Sequence, residues 1–313
     1  MDFLKVQANL SPENYRAVLA EAKQLGLTVA GHIPEAVSAF EVARAGQRSI
    51  EHSSPILPGD GGILMSCSSK EDELRAELLA INRDAVAPNA NRQELRLRQR
   101  ALQIQMLDTY DARKCQGLFA LLKERNVWVV PTQIWAKRLL PLNAEDGIDA
   151  LAQPWLPLQT RTRFVQRRGE GIKVTAPESF ALRLRIAEKT RALVGAMYRA
   201  GVPMLAGTDA LDGDVIPGLS LHQELELMVQ AGLTPMEALQ TPTRNAAQYF
   251  GTANASGTIA AGKQADLVLL DADPTQNIGN TQKIHAVILQ GRLISTSQRQ
   301  ALLEQIKRYA DAH

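Results

Sequence analysis

Two cysteines, Cys67 and Cys115, are all that the chain contains, and they form no CxxC pair. Neither a disulfide framework nor a zinc knuckle is expected from so few, and a reduced compartment is compatible with that count. No run of about 18 apolar residues occurs, so no transmembrane helix is expected. An excess of either charge sign is also lacking. The formal balance is +2, which gives no electrostatic case for nucleic acid or an acidic membrane as partner. No internal repeat at solenoid spacing is present, which excludes a repeat array. No signal peptide precedes Asp2.

What is present is 313 residues with 45% hydrophobic content. That length suits one large α/β domain with an appendage. Four chemically capable residues each end a short apolar run. They are Lys5 in Phe3-Leu4-Lys5-Val6, His32 after Thr28-Val29-Ala30-Gly31, His52 after Ser49-Ile50-Glu51, and Asp209 after Met204-Leu205-Ala206-Gly207-Thr208. Runs of this kind read as buried parallel strands. In a β/α barrel the strand C-termini converge on the face that carries the chemistry. A lysine, two imidazoles and a carboxylate converging there point to a metal site.

The segments between these runs read as helices. Ser11-Pro12 is an N-cap followed by proline at the first helical position. The helix from Pro12 to Leu25 places Tyr15, Val18, Leu19, Ala22 and Leu25 on one face, and Gly26 ends it. A second helix is expected over Pro34–Ala45, closed by Gly46. The alternation implies a parallel sheet with right-handed crossovers. Between Ser53 and Arg125 the pattern loosens into a Pro- and Gly-rich loop and charged helices, read as an insertion with its charges on solvated faces. Val127–Pro131 and Val202–Gly207 are two further strands. Ser220 with Gln223, and Thr234-Pro235 with Glu237, fit capping boxes. After Gly251, the short runs Thr258-Ile259, Ala265–Leu270, Ala286–Leu289 and Leu293-Ile294 read as a small β unit. A final helix over Arg299–Tyr309 carries Leu302, Leu303 and Ile306 as a docking stripe.

The strand-end motifs, together with Gly257-Thr258-Ile259-Ala260-Ala261-Gly262-Lys263-Gln264-Ala265-Asp266-Leu267-Val268-Leu269, resemble the metal-dependent amidohydrolase superfamily. The resemblance is to the branch of imidazolonepropionase-like enzymes and Xaa-Pro dipeptidases, and it covers nearly the whole chain. It implies an α/β fold, a partial TIM-type β/α barrel of strands four to eight with a small appended β-sandwich element. By it, residues 1–250 form the barrel part, 251–296 the C-terminal part of a composite sandwich, and 297–313 a terminal helix. Lys5, His32, His52 and Asp209 then fall on strands four, five, six and eight. The family's HxH motif belongs on strand one, and no HxH occurs in this sequence. The first three strands are therefore expected to be missing, and any export signal with them. The compartment stays open, cytoplasmic by default.

The chemistry implied by the resemblance is hydrolysis of an amide or peptide C–N bond. One or two divalent ions, zinc foremost, would be held by Lys5, His32, His52 and Asp209, with Lys5 carbamylated and bridging. That reaction needs a neutral amine, which a buried lysine supplies. Asp209 is the general base. His222 reads equally as a substrate contact and as a surface histidine. Glu51 precedes His52 and should point the other way along a strand, into a packing or salt-bridge role. Asp212 and Asp214 read as solvated loop carboxylates, and Trp128, Trp135 and Trp155 as packing residues. The expected partners are a small amide, cyclic amide or dipeptide substrate, a second copy of the chain, or a complementing N-terminal fragment. Two other readings stay open, an inactive remnant and a non-catalytic interaction module.

Overall fold

The computed structural model describes residues 3–53, 62–138, 155–163, 166, 177–210 and 215–312. Arg167, Arg168, Asp212, Asp214 and the prolines Pro55 and Pro58 lie outside them. The chain divides into two units, residues 1–136 with 181–205, and residues 137–180 with 206–313. No helix among the described residues is long and apolar enough to cross a membrane.

The first unit is built on parallel strands in sequence order. β1 (Phe3–Val6) pairs in parallel with β2 (Thr28–Gly31), with Lys5 opposite Ala30. β3 (Ser49–Glu51) pairs in parallel with β4 (Trp128–Val130). A backbone bond from Arg48 N to Val29 O, 2.7 Å long, links the two pairs. Met204 adds a parallel bridge to Val129 beyond β4. The expected strand over Val202–Gly207 is reduced to that bridge. Pro203 has no N–H to give a ladder, and its carbonyl accepts from Val129 N at 2.9 Å.

Helix α1 (Pro12–Gln24) follows β1, capped by Ser11 Oγ accepting from Asn14 N at 3.2 Å. Tyr15, Leu19 and Ala22 are buried as its periodicity predicts, whereas Leu25 is the C-cap and 63% exposed. Helix α2 (Ala39–Ala45) is shorter than expected. Ser38 Oγ accepts from Glu41 N at 3.0 Å and starts it, so the residues from Pro34 on form a turn instead. Gly46, with φ +92°, closes it.

The insertion contains α3 (Gly62–Ser66), α4 (Glu71–Ala85), α5 (Arg92–Asp108) and α6 (Ala112–Glu124). Two expectations fail here. Cys67 and Cys115 are joined in a disulfide, Cα atoms 4.6 Å apart, both fully buried. Spacing could not reveal this, because the helices between them bring together residues 48 apart. The charges are also not all solvated. Glu71 is buried and bonded to Arg75 at 2.6 Å, Lys114 at 2.8 Å and Ser66 Oγ at 2.8 Å. Arg75 in turn donates to Glu35 O at 2.6 Å, and Ser66 Oγ accepts from Ala39 N at 2.9 Å. These bonds fasten the insertion to α2 and to the turn before it. α7 (Gln133–Arg138) follows β4, and α8 (Pro177–Arg199) joins this unit from Ala181 onward.

The second unit holds α9 (Leu219–Gln230), α10 (Pro235–Gln240) and α11 (Arg244–Tyr249). The capping box of Thr234 with Glu237 is present. The one expected at Ser220 is not. Gly218 caps α9, and Ser220 Oγ accepts from Ile216 N at 2.8 Å instead. A three-stranded antiparallel sheet follows, β5 (Leu267–Leu270), β6 (Ile284–Leu289) and β7 (Arg292–Ile294). Thr258-Ile259 is not a strand. Gly257 before it turns at φ +82°, where an added Cβ would collide with Ala247. α12 (Thr296–Ala312) ends the chain. Its expected stripe is largely open, with Leu302 and Ile306 near half exposed.

Candidate metal centre

The ends of β1, β2 and β3 bring three of the predicted residues together. Lys5 Nζ lies 2.7 Å from Glu51 Oε2. The rings of His32 and His52 are 4.7 Å apart between centroids, tilted by 42°. One ligand atom from each of His32, Glu51 and His52 falls within 4.8 Å of the other two. All three are half-buried.

Backbone geometry explains the cluster. Gly31 has φ +125°, and a Cβ there would run into the backbone of Val6. Only glycine lets β2 approach β1 so closely. His32 N then bonds Val6 O at 3.0 Å, and its ring Nδ1 lies 3.4 Å from the same carbonyl. A carbonyl only accepts, so a hydrogen bond here requires the proton on Nδ1, which in the neutral ring leaves the lone pair on Nε2. The buried amide of Gln47 adds a clamp. Its Nε2 reaches Gly31 O at 3.0 Å, His32 O at 3.2 Å and Ser49 O at 2.8 Å. Its Oε1 accepts from the buried Tyr15 hydroxyl at 2.9 Å. Burial, and Glu41 nearby, push the Tyr15 hydroxyl well above its ordinary pKa.

Glu51 departs from expectation. It does form a salt bridge, but it does not point away from His52. Strand alternation stops at Glu51, because His52 has φ +64°. That left-handed residue turns its ring back toward the side of its neighbour. Thr132, just past β4, also sits in the left-handed region at φ +52° and is buried. For a β-branched residue this is a true outlier, and such strain gathers at functional sites. Lys5 departs as well, since its side chain is 38% exposed where a buried amine was expected. Among the described residues, β1 is covered by a strand on one side only.

Gln47 was missed in the sequence, and Glu51 was read as a packing or salt-bridge residue but not as a neighbour of the two histidines. A Glu directly before a His was the one visible signal, and period-two alternation argued against it. Trp128 is buried, as a packing residue should be.

In the second unit, Asp209 is exposed and has φ +56°. His222 lies on α9 with Nδ1 2.9 Å from Thr281 Oγ1. It is half-buried. Burial holds its pKa below the ordinary value, against the opposing charge of Glu226.

A family model described as the amidohydrolase family matches residues 6–294. The chain belongs to the amidohydrolase family. Among amidohydrolase relatives, an imidazolonepropionase of Vibrio vulnificus (strain CMCP6) is 39% identical over 101 residues, 29% of this chain and 23% of that protein. An ochratoxinase of Aspergillus niger is 33% identical over 126 residues, 40% of this chain and 25% of that protein. Of the solved structures, bottromycin amidohydrolase matches with a TM-score of 0.70 at 19% identity, over 99% of this chain and 59% of that one. A Xaa-Pro dipeptidase matches at 0.54 and 19% identity, over 94% of this chain and 54% of that one. These likenesses concern the fold, and they relate the parallel strands of the first unit to a TIM-like barrel. The amidohydrolase chain described here spans little more than half the length of those structures, and its curated matches reach about a quarter of theirs.

Proposed function

We propose that this chain carries the metal-holding part of an amidohydrolase that cleaves an amide or peptide C–N bond in a small molecule. The observation that supports it most is the group of His32, Glu51 and His52 at the ends of parallel strands, in a chain of this family. Two imidazoles and a carboxylate are donors that a divalent ion of the zinc type takes, so the residues fit the ion the family uses. His32 and His52 would hold it, and Lys5 and Asp209 complete the set that the resemblance implies. A carbamate on Lys5 would require its amine to leave Glu51. The parallel strands are then strands four to eight of a TIM-type barrel. The three-stranded sheet is the C-terminal part of a composite β-sandwich.

A bound ion would supply Lewis acidity, polarising the scissile carbonyl and acidifying water. The other steps belong to side chains. Asp209 takes a proton from the attacking water and passes it to the leaving nitrogen. The Val6 carbonyl and the Gln47 clamp fix the tautomer and backbone of His32. His222 meets substrate through Nε2, because Nδ1 is given to Thr281. The resemblance implies cyclic amides, N-acyl amino acids and dipeptides with C-terminal proline as the substrate classes to try.

Release of amine from that panel, with Zn²⁺ or Mn²⁺ supplied, tests the reading. Turnover should stop with chelator and fall by about 10³-fold in Asp209→Asn, the scale of a general base. Metal-independent turnover, or full activity in Asp209→Asn, contradicts it. A chain that binds metal but turns over none of the panel would favour a non-catalytic role.

A further inference from the structure

The chain's two cysteines are paired with each other, and both are fully buried. Cys67 directly follows α3, Cys115 lies in the first turn of α6, and α4 and α5 lie between them. The two ends of this excursion run side by side. Ser68 and Tyr110 form an antiparallel bridge. Ser69 N bonds Thr109 O at 2.8 Å, and Asp111 N bonds Cys67 O at 2.8 Å. The disulfide sits beside these bonds and closes the excursion at its neck. The apolar residues buried on the two helices are few, Leu74, Leu78 and Ile81 on α4 and Leu95, Leu102 and Met106 on α5. A helix pair with so small a core gains most from a covalent staple.

A cysteine pair serves as a staple or as a redox sensor. A sensor must offer a sulfur to an attacking thiolate or oxidant, so its cysteines are accessible. Cys67 and Cys115 have no exposed surface, and neither can be attacked until the neck opens. Their bond is therefore made as the chain folds. Two thiols give up two electrons and two protons to a disulfide-bearing oxidant, which leaves as a dithiol. The reducing cytosol keeps thiols free, whereas oxidising compartments form and preserve such bonds. We infer that Cys67–Cys115 is a permanent staple and that this chain folds and works in an oxidising compartment, outside the reducing cytosol. The staple also bears on the first unit's strand ends. Arg75 and Asn82, both on α4, donate to the carbonyl and the carboxylate of Glu35, in the turn that follows His32. Under the function proposed above, on which this one step rests, the amides cleaved are those met outside the cytosol.

The first test traps thiols by alkylation while cells that naturally make the protein are lysed and fractionated, and reads Cys67 and Cys115 by peptide mass. The chain should lie outside the cytosol with both cysteines paired. A cytosolic chain, or free thiols in the fraction that holds it, overturns the inference. The second test places the purified full chain in a glutathione buffer of cytosolic ratio. The disulfide should persist in the native chain and open only when denaturant is added. Opening in the native chain would make the pair a redox switch and overturn the staple. The double variant Cys67→Ala with Cys115→Ala should melt at least about 5 °C below the parent, and a smaller shift overturns the staple. Should that variant not fold, the first two measurements decide. None of these readouts uses turnover or metal, so the inference and the proposed hydrolase function can fail separately.

Discussion

Gln47 is 1% exposed, and its one amide group reaches three carbonyls and a hydroxyl. Truncation to alanine would strand Gly31 O, Ser49 O and the Tyr15 hydroxyl in a dry interior. Each stranded group costs about 1–3 kcal/mol, less what the neighbours recover. Gln47→Ala should therefore lose about 3 kcal/mol in urea denaturation and weaken metal binding through His32. A loss below about 1 kcal/mol would mean that the clamp is not what holds the end of β2. Nothing in the sequence marked this residue. It sits between a helix-ending glycine and a strand, where polar residues are usually solvated. His32 and His52 were legible because each closes an apolar run. Glu51 was not, because the left-handed turn at His52 breaks the alternation that sequence reading relies on.

Elements were legible where local chemistry decides them. Ser11-Pro12, Gly46 and Thr234 with Glu237 set boundaries through caps that need no tertiary partner. Elements governed by long-range contacts were misread. The insertion looked solvated because its charges are many, yet Glu71 and Arg75 are buried as a pair. Burial pushes the Glu71 pKa up, but hydrogen bonds from Lys114, Arg75 and Ser66 outweigh it and hold the carboxyl below its usual range. A folded-state pKa below the unfolded one adds stability that is present above about pH 4.3 and is lost as pH falls through the folded value. Glu35 acts oppositely, because burial raises its pKa despite the Asn82 hydrogen bond. Glu71→Gln should cost about 3 kcal/mol at pH 7, since it breaks a buried pair. The gap between parent and variant, followed by denaturation from pH 7 down to pH 3, should shrink. A gap that does not change with pH would remove the ionised carboxylate from the account.

At the scale of the molecule, the family and the parallel strand order came through from five short motifs, and the family match over residues 6–294 bears the family out. The disulfide did not, because residues 48 apart meet only once α3 to α6 have packed. The proposed metal site lies at the strand ends of the first unit, around His32 and His52. Elemental analysis of the purified chain beside the His32→Ala, His52→Ala double variant tests it most directly. Near-stoichiometric zinc or a similar divalent ion is expected in the parent, and its loss in the variant. A parent without metal, or a variant that keeps the parent's content, would contradict it.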